Sequence, residues 1–307
     1  METNPHDTAV RIGIVTVRDA GYHPNRRLLE AARNAGATGV LVHPYRVWPA
    51  TLGGRLQLTG EYARALPHVV LPRQGAEIGD SCLALIGHFE RMGIPLINDG
   101  SAVATARNKW LTQQALAAAG LPCPDTVFLN ASDGFDAAVA HLGGYPVVVK
   151  PVSARQGEGV LRIVDAEDAR QRVLETLDRR RGIMVQRYLA PHQRRDIRAL
   201  VIDRRLVCAA QLTPQAGEFR ANFHLGGAIR AVELPVDMAR VAVAAAAAVG
   251  CDVAGVDMMV DAGGRPSIVE VNYAPGFKGM EAATGRDIAG LIVSLAMDRC
   301  RRPAWTA

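Results

Sequence analysis

Along the first hundred residues, short unbroken apolar runs alternate with stretches of helical spacing. The run "RIGIVTV" (11–17) is bounded by turn residues and reads as a buried parallel strand. A helical segment, "NRRLLEAARNAG" (25–36), follows and stops on a glycine. "GVLVHP" (39–44), "HVVLPRQG" (68–75) and "PLIN" (95–98) read as further strands, with "CLALIGHFERMG" (82–93) as a helix between the last two. Strands alternating with helices predict an α/β doubly wound sheet, with ligands at the carboxyl ends of its strands. Arg73, directly after "VVLP", stands at such an end and is expected to meet an anionic substrate.

The pattern changes near residue 100. "SAVATARNKWLTQQALAAAG" (101–120) predicts one helix, with Ser101 as its cap and Gly120 as its stop. "YPVVVKPVSARQGEGVLRIV" (145–164) predicts a hairpin with a glycine-containing tip, and "IMVQRYL" (183–189) a strand leading into a linker. "DIRALVID" and "RLVCAAQL" predict a second hairpin turning at Asp203, Arg204 and Arg205. A helix over 236–249, strands over 253–260 and 266–272, and a helix over 284–299 complete the chain. The expected division is 1–100, 101–185 and 186–307.

Five cysteines lie far apart with no CxxC pair, which predicts a reduced, cytoplasmic setting rather than a disulfide framework or zinc site. "METNPHDTAV" lacks the features of a signal peptide, and no window has the length of a membrane span. The net charge of +5 suits anionic small molecules. The basic runs 178–182 and 192–198 carry no interleaved aromatic residues, which argues against nucleic acid as a partner. Of the 35 basic residues only three are lysines, Lys109, Lys150 and Lys278. In a chain so biased toward arginine, these mark places where a compact ammonium on a flexible stem is needed.

Three groupings carry candidate chemistry. Asp257 lies in the apolar strand "GVDMMVD", and Glu270 and Asn272 share one face of "IVEVN". The turn "DAGGRP" joins the two strands, so three oxygen-bearing side chains can converge. Either they hold a hard cation such as magnesium, or they form a hydrogen-bonded polar network. In the tip "SARQGEGV", Gly157 and Gly159 free the backbone to wrap phosphates, just after Lys150. In "EFRANFHLGG", Arg220 and Asn222 can reach one anion.

The ordered blocks, a helix-borne lysine, "VVVK", "QGEGV", "VQRYL", "DIRALV", "FRANFHLGG", "VAGVDMMV" and "VEVNYAPG", resemble the ATP-grasp superfamily, and specifically its RimK-type α-L-glutamate ligase branch. The resemblance runs over nearly the whole chain. It implies an ATP-grasp fold with an N-terminal pre-ATP-grasp α/β domain and two α+β halves that grip ATP. By the same resemblance Lys109, Lys150, Gln156, Gly157 and Gly159 meet the phosphates, and Gln186, Arg187 and Tyr188 form the adenine hinge. Asp196 faces the ribose, and Arg220 and Asn222 serve phosphate binding and catalysis. Asp257, Glu270 and Asn272 hold two magnesium ions, with manganese as the alternative. Arg73, Tyr273, Gly276 and Lys278 border the substrate.

The chain departs from the family pattern at Ala274, where serine is usual, and at Lys278, where an acid is usual. Leu225 replaces an arginine, and Arg187 an acidic hinge residue. The implied reaction joins a carboxylate to an amine through an acyl phosphate, adding L-glutamate to a small molecule or protein tail. A kinase that stops at phosphoryl transfer, or a non-catalytic nucleotide-binding module, are the alternatives. A homo-oligomer is compatible with the resemblance.

Overall fold

The computed structural model describes residues 9–61, 65–73, 79–153, 159–173, 177–215, 218 and 228–301. Its first part holds β1 (Arg11–Val15), α1 (His23–Asn34), β2 (Thr38–Val42), the hairpin β3 (Val47–Leu52) and β4 (Arg55–Gly60), β5 (Val69–Pro72) and α2 (Gly79–Arg91). The strands form a parallel sheet in the order β2-β1-β5, as the alternation predicted. "PLIN" contributes only a single bridge, between Val70 and Leu96. The β3–β4 hairpin lies where no element was predicted.

The expected helix over 101–120 is two helices, α3 (Gly100–Ala106) and α4 (Lys109–Ala118). Asp99, not Ser101, caps α3, accepting from the Ala102 amide at 2.8 Å. Asn108 then caps α4, its carboxamide oxygen accepting from the Trp110 and Leu111 amides. A polar cap within a helical pattern offers the backbone a competing partner and breaks the helix there. The break makes Lys109 the first residue of α4, and its amide donates to the Val152 carbonyl at 2.7 Å.

The next elements are β6 (Thr126–Leu129), α5 (Phe135–His141), β7 (Val147–Pro151), β8 (Leu161–Ile163), α6 (Ala166–Arg172) and β9 (Ile183–Arg187). Their four strands make an antiparallel sheet in the order β6-β9-β7-β8 with its own apolar cluster around Phe135, Val147 and Ile163. Then come β10 (Arg194–Ile202), β11 (Arg205–Thr213), β12 (Ala228–Val232), α7 (Val236–Val249), β13 (Val253–Asp261), β14 (Pro266–Asn272), α8 (Lys278–Thr284) and α9 (Ile288–Arg301). The β10–β11 hairpin turns on Asp203 and Arg204, both with positive φ, the conformation of a two-residue turn that matches strand twist.

The five-stranded antiparallel sheet runs β12-β11-β10-β13-β14. Alanine-rich α7 lies against α4 and the sheet, where small side chains permit close approach. One core joins this sheet to the N-terminal part: Val15, Phe89 and Leu116 share a cluster with Ala199, Val256 and Val271. Buried Asn98 adds polar ties, donating to the Val253 and Tyr273 carbonyls and accepting from the Val253 amide, each at 2.8 Å. Among the described residues no helix is long and apolar enough to cross a membrane.

Candidate active site

The four- and five-stranded sheets turn polar faces toward one open cleft of about 960 Å³. Strand register aligns the second face. Arg198 of β10 lies opposite Asp257 of β13, and Asp257 opposite Glu270 of β14, so three charged side chains form one row across three strands. Asp196 and Asn272 lie two residues from Arg198 and Glu270 and extend the same face. A register irregularity follows Asp257, where the strand re-aims beside the site.

The carboxylates are compensated by side chains. Arg198 donates to both oxygens of Asp257 at 2.7 Å each, and Lys109 Nζ donates to Glu270 Oε1 at 2.7 Å. Asn272 Nδ2 reaches Asp257 Oδ2 at 3.3 Å. Burial works to raise the Glu270 pKa, but the Lys109 ammonium outweighs it, with help from Lys150 and Arg198, and the net shift is downward. For Arg198 burial is likewise outweighed, here by Asp257, and the guanidinium stays charged. At Asp196 burial prevails: its pKa is raised although Arg194 donates to it at 3.0 Å.

The opposite face is built on β7 and β9. Lys150 is 5% exposed, and Nζ donates to Gln186 Oε1 at 2.8 Å. Gln186 passes the contact on, Nε2 donating to Thr126 Oγ1 at 2.8 Å. Burial, reinforced by repulsion from Lys109 and partly offset by Glu270, pulls the Lys150 pKa down to about 8. A buried amine with only a neutral acceptor is a site prepared for an anion.

The other predicted residues divide. Arg187 lines the cleft while its guanidinium pairs with Asp125 at 3.0 Å. Tyr188 stacks under Arg162, 5.8 Å from the ring centroid. Gly159 has a φ of +67°, and a Cβ there would press on Pro151 at 3.2 Å, so the residue suits a turn that only glycine takes freely. Gln156, Gly157, Arg220, Asn222 and Leu225 lie outside the described residues.

Arg73 is drawn inward. Nη2 donates to the Pro275 carbonyl at 2.5 Å, the guanidinium sits 5.5 Å from the Phe277 ring centroid, and burial lowers its pKa to about 10. It braces the loop after β14. Tyr273 is buried in the core, whereas Gly276 and Lys278 line a second, adjoining pocket with Arg198. Sequence reasoning missed Arg198, Thr126 and Arg194. The position of Arg198, two residues from Asp196 in "DIRALV", was the available signal.

Asp257, Glu270 and Asn272 present hard oxygen donors on one face, fitting magnesium, which takes few protein ligands and completes its shell with water and phosphate. Among the described residues no group of three or more His, Cys, Asp or Glu side chains could hold a metal by itself. A nucleotide would supply the missing oxygens.

Comparison with known proteins places this geometry. The model of the RimK-like ATP-grasp domain matches residues 106–295. A protein of Thioalkalivibrio sulfidiphilus named "Probable alpha-L-glutamate ligase" is 34% identical over 95% of this chain and 97% of its own. One of the same name from Pseudoalteromonas translucida is 34% identical over 92% and 94%. Among solved structures, the ATP-grasp ligase PsnB complexed with a minimal precursor superimposes with a TM-score of 0.74 at 22% identity, over 94% of this chain and 99% of that one. A RimK domain ATP-grasp protein from Sphaerobacter thermophilus gives 0.72 at 22% identity, over 94% and 100%. The fold is that of the ATP-grasp ligases, and the chain belongs to the RimK-like ATP-grasp family of ATP-dependent ligases.

Proposed function

We propose that the protein is an ADP-forming carboxylate–amine ligase that adds L-glutamate to a small-molecule or protein-tail acceptor through an acyl phosphate. The observation that carries this reading is the cleft itself, where Lys109 and Lys150 stand with the row of Arg198, Asp257 and Glu270. Such a site offers charge neutralisation and positioning, the requirements of phosphoryl transfer, and among the described residues no hydroxyl or thiol nucleophile lines it. The relatives named probable alpha-L-glutamate ligases support the choice of amino acid.

Lys109 and Lys150 take the phosphates, and the end of β9 with the residue after it, Gln186–Tyr188, holds the base. Asp196 meets the ribose. Asp257, Glu270 and Asn272 hold magnesium, which supplies charge neutralisation at the phosphates when bound. Arg220 and Asn222 steady the transferring group and the tetrahedral intermediate. The 153–160 tip excludes water, since hydrolysis of the acyl phosphate wastes ATP. Residues 1–100, 101–185 and 186–307 are the three working parts, and a reduced cytoplasm is their setting.

The test is incubation of the purified protein with ATP, magnesium and each amino acid, with and without a low-mass cell extract or its protein fraction. ADP together with a new glutamyl amide, identified by mass, supports the reading. A phosphorylated product without an amide would replace the ligase with a kinase.

A further inference from the structure

Beside the nucleotide cleft lies a second pocket of about 740 Å³, including its open mouth. Its walls come from three parts of the chain: Tyr22 and His23 at the start of α1, Arg198 and Leu212 of the central sheet, and Lys278 and Met280 at the start of α8. Arg198 and Leu212 also line the nucleotide cleft, so the two cavities share a wall. Arg198 and Lys278 bring fixed positive charge to the pocket, and among the described residues no carboxylate lines it. Glu281 stands behind, held by Arg27 at 3.1 Å and His23 at 3.7 Å. Leu212 and Met280 add apolar lining to the same pocket. Two cations and apolar side chains lining one pocket suit a small molecule with two carboxylates on an aliphatic stem.

Arg198 links this pocket to the nucleotide site. Its Nε and Nη2 are committed to Asp257, while Nη1 makes no hydrogen bond among the described residues. One carboxylate cannot serve a bidentate arginine and a divalent cation equally well. An arginine deprived of its partner in a buried place needs another anion.

We propose that Arg198 is shared between the two sites. In the free enzyme it neutralises Asp257; when a divalent cation engages Asp257, Arg198 turns its charge to one carboxylate of an amino dicarboxylate in the adjoining pocket. Lys278 holds the second carboxylate and is the specificity-determining residue. This rests on the ligase reading, in which Asp257 is a metal ligand. Metal–nucleotide and amino acid then strengthen each other's binding, by the same factor in both directions. The arrangement delays capture of the amino acid until the nucleotide site is loaded.

Calorimetry on the full-length protein tests it, with L-glutamate and L-glutamine as probes, in ADP with magnesium and in ADP with EDTA. Glutamate is expected to bind at least ten-fold more tightly with magnesium, and glutamine at least ten-fold more weakly than glutamate. Lys278→Met should bind the two probes alike while keeping wild-type affinity for magnesium–ADP. Arg198→Lys, which keeps the charge but loses the fork, should shrink the magnesium effect. Equal glutamate affinity with and without magnesium, or undiminished discrimination in Lys278→Met, would overturn the proposal. Wild-type protein that binds magnesium–ADP but neither probe also overturns it and leaves the ligase reading standing. Failure to bind magnesium–ADP at all would count against that reading itself.

Discussion

Arg198 and Asp257 face each other across β10 and β13 and are joined by two hydrogen bonds of 2.7 Å, with both side chains at least four-fifths buried. A carboxylate expected to require a metal is therefore already neutralised by its cross-strand neighbour. Removing either partner alone leaves a buried charge uncompensated, which costs about 3–5 kcal/mol. Arg198→Met and Asp257→Leu should each destabilise by that order, whereas the double variant should come close to wild type. Denaturant unfolding of the four proteins measures the coupling; additive losses would mean that the pair is incidental.

Lys150 carries a different liability. Its pKa of about 8 lies below the ordinary lysine value because burial penalises the ammonium. The folded state therefore bears a cost that is fully present below pH 8 and disappears as the pH rises toward 10.5, the value for an exposed lysine. Stability measured relative to Lys150→Met should rise over that window by up to roughly 3 kcal/mol. Phosphate oxygens beside Nζ restore the charged form, so ATP binding at pH 8.5 (about half a unit above the free value) should take up protons. Titration calorimetry in buffers of different ionisation heat would show it. A binding enthalpy independent of buffer would remove Lys150 from the phosphate site.

These two residues also show what sequence could reveal. Lys150 stands out locally, as one of three lysines and the end of "VVVK". Asp257, Glu270 and Asn272 stand out for the same reason, since a polar residue in an apolar strand must be satisfied somehow. Arg198 could be placed on the face of Asp196 from "DIRALV", but its pairing with Asp257 could not, because cross-strand register depends on how distant segments align. The hairpin turn at Asp203 and Arg204 was readable from its neighbours, but the break at Asn108 was not. There a side-chain cap competes with helix propagation inside an otherwise continuous helical pattern. The β3–β4 hairpin carries Pro49 within a strand, which obscures its period.

Glu270 is predicted to be essential for turnover and dispensable for folding. Its side chain is about one-third exposed, so little packing is lost with it, while the Lys109 ammonium, only 13% exposed, loses this ion-pair partner. Glu270→Ala should lose about a hundred- to a thousand-fold in turnover, the order seen when a charge-stabilising group is removed. It should still unfold in one cooperative transition, weakened by no more than about 3–5 kcal/mol. Retained turnover would remove Glu270 from the metal site.

The loop after β14 depends on a close approach. A Cβ on Gly255 would lie 2.8 Å from Pro275 Cβ, and the Pro275 carbonyl is the acceptor for Arg73. Gly255→Ala should push the loop outward and cost about 1–3 kcal/mol, as overpacking does. Arg73→Met, which keeps bulk but loses the hydrogen bond, should raise KM for the amino acid more than KM for ATP. Equal effects on both constants would argue that Arg73 does not act through this loop.

The central claim is an activated carboxylate, and hydroxylamine traps one directly. The protein would be incubated with ATP, magnesium, hydroxylamine and the extract that supplies the acceptor, without added glutamate. ADP release should be matched by a hydroxamate of the acceptor, detected by its ferric complex and its mass. ADP release accompanied by a stable phosphorylated product and no hydroxamate would contradict it.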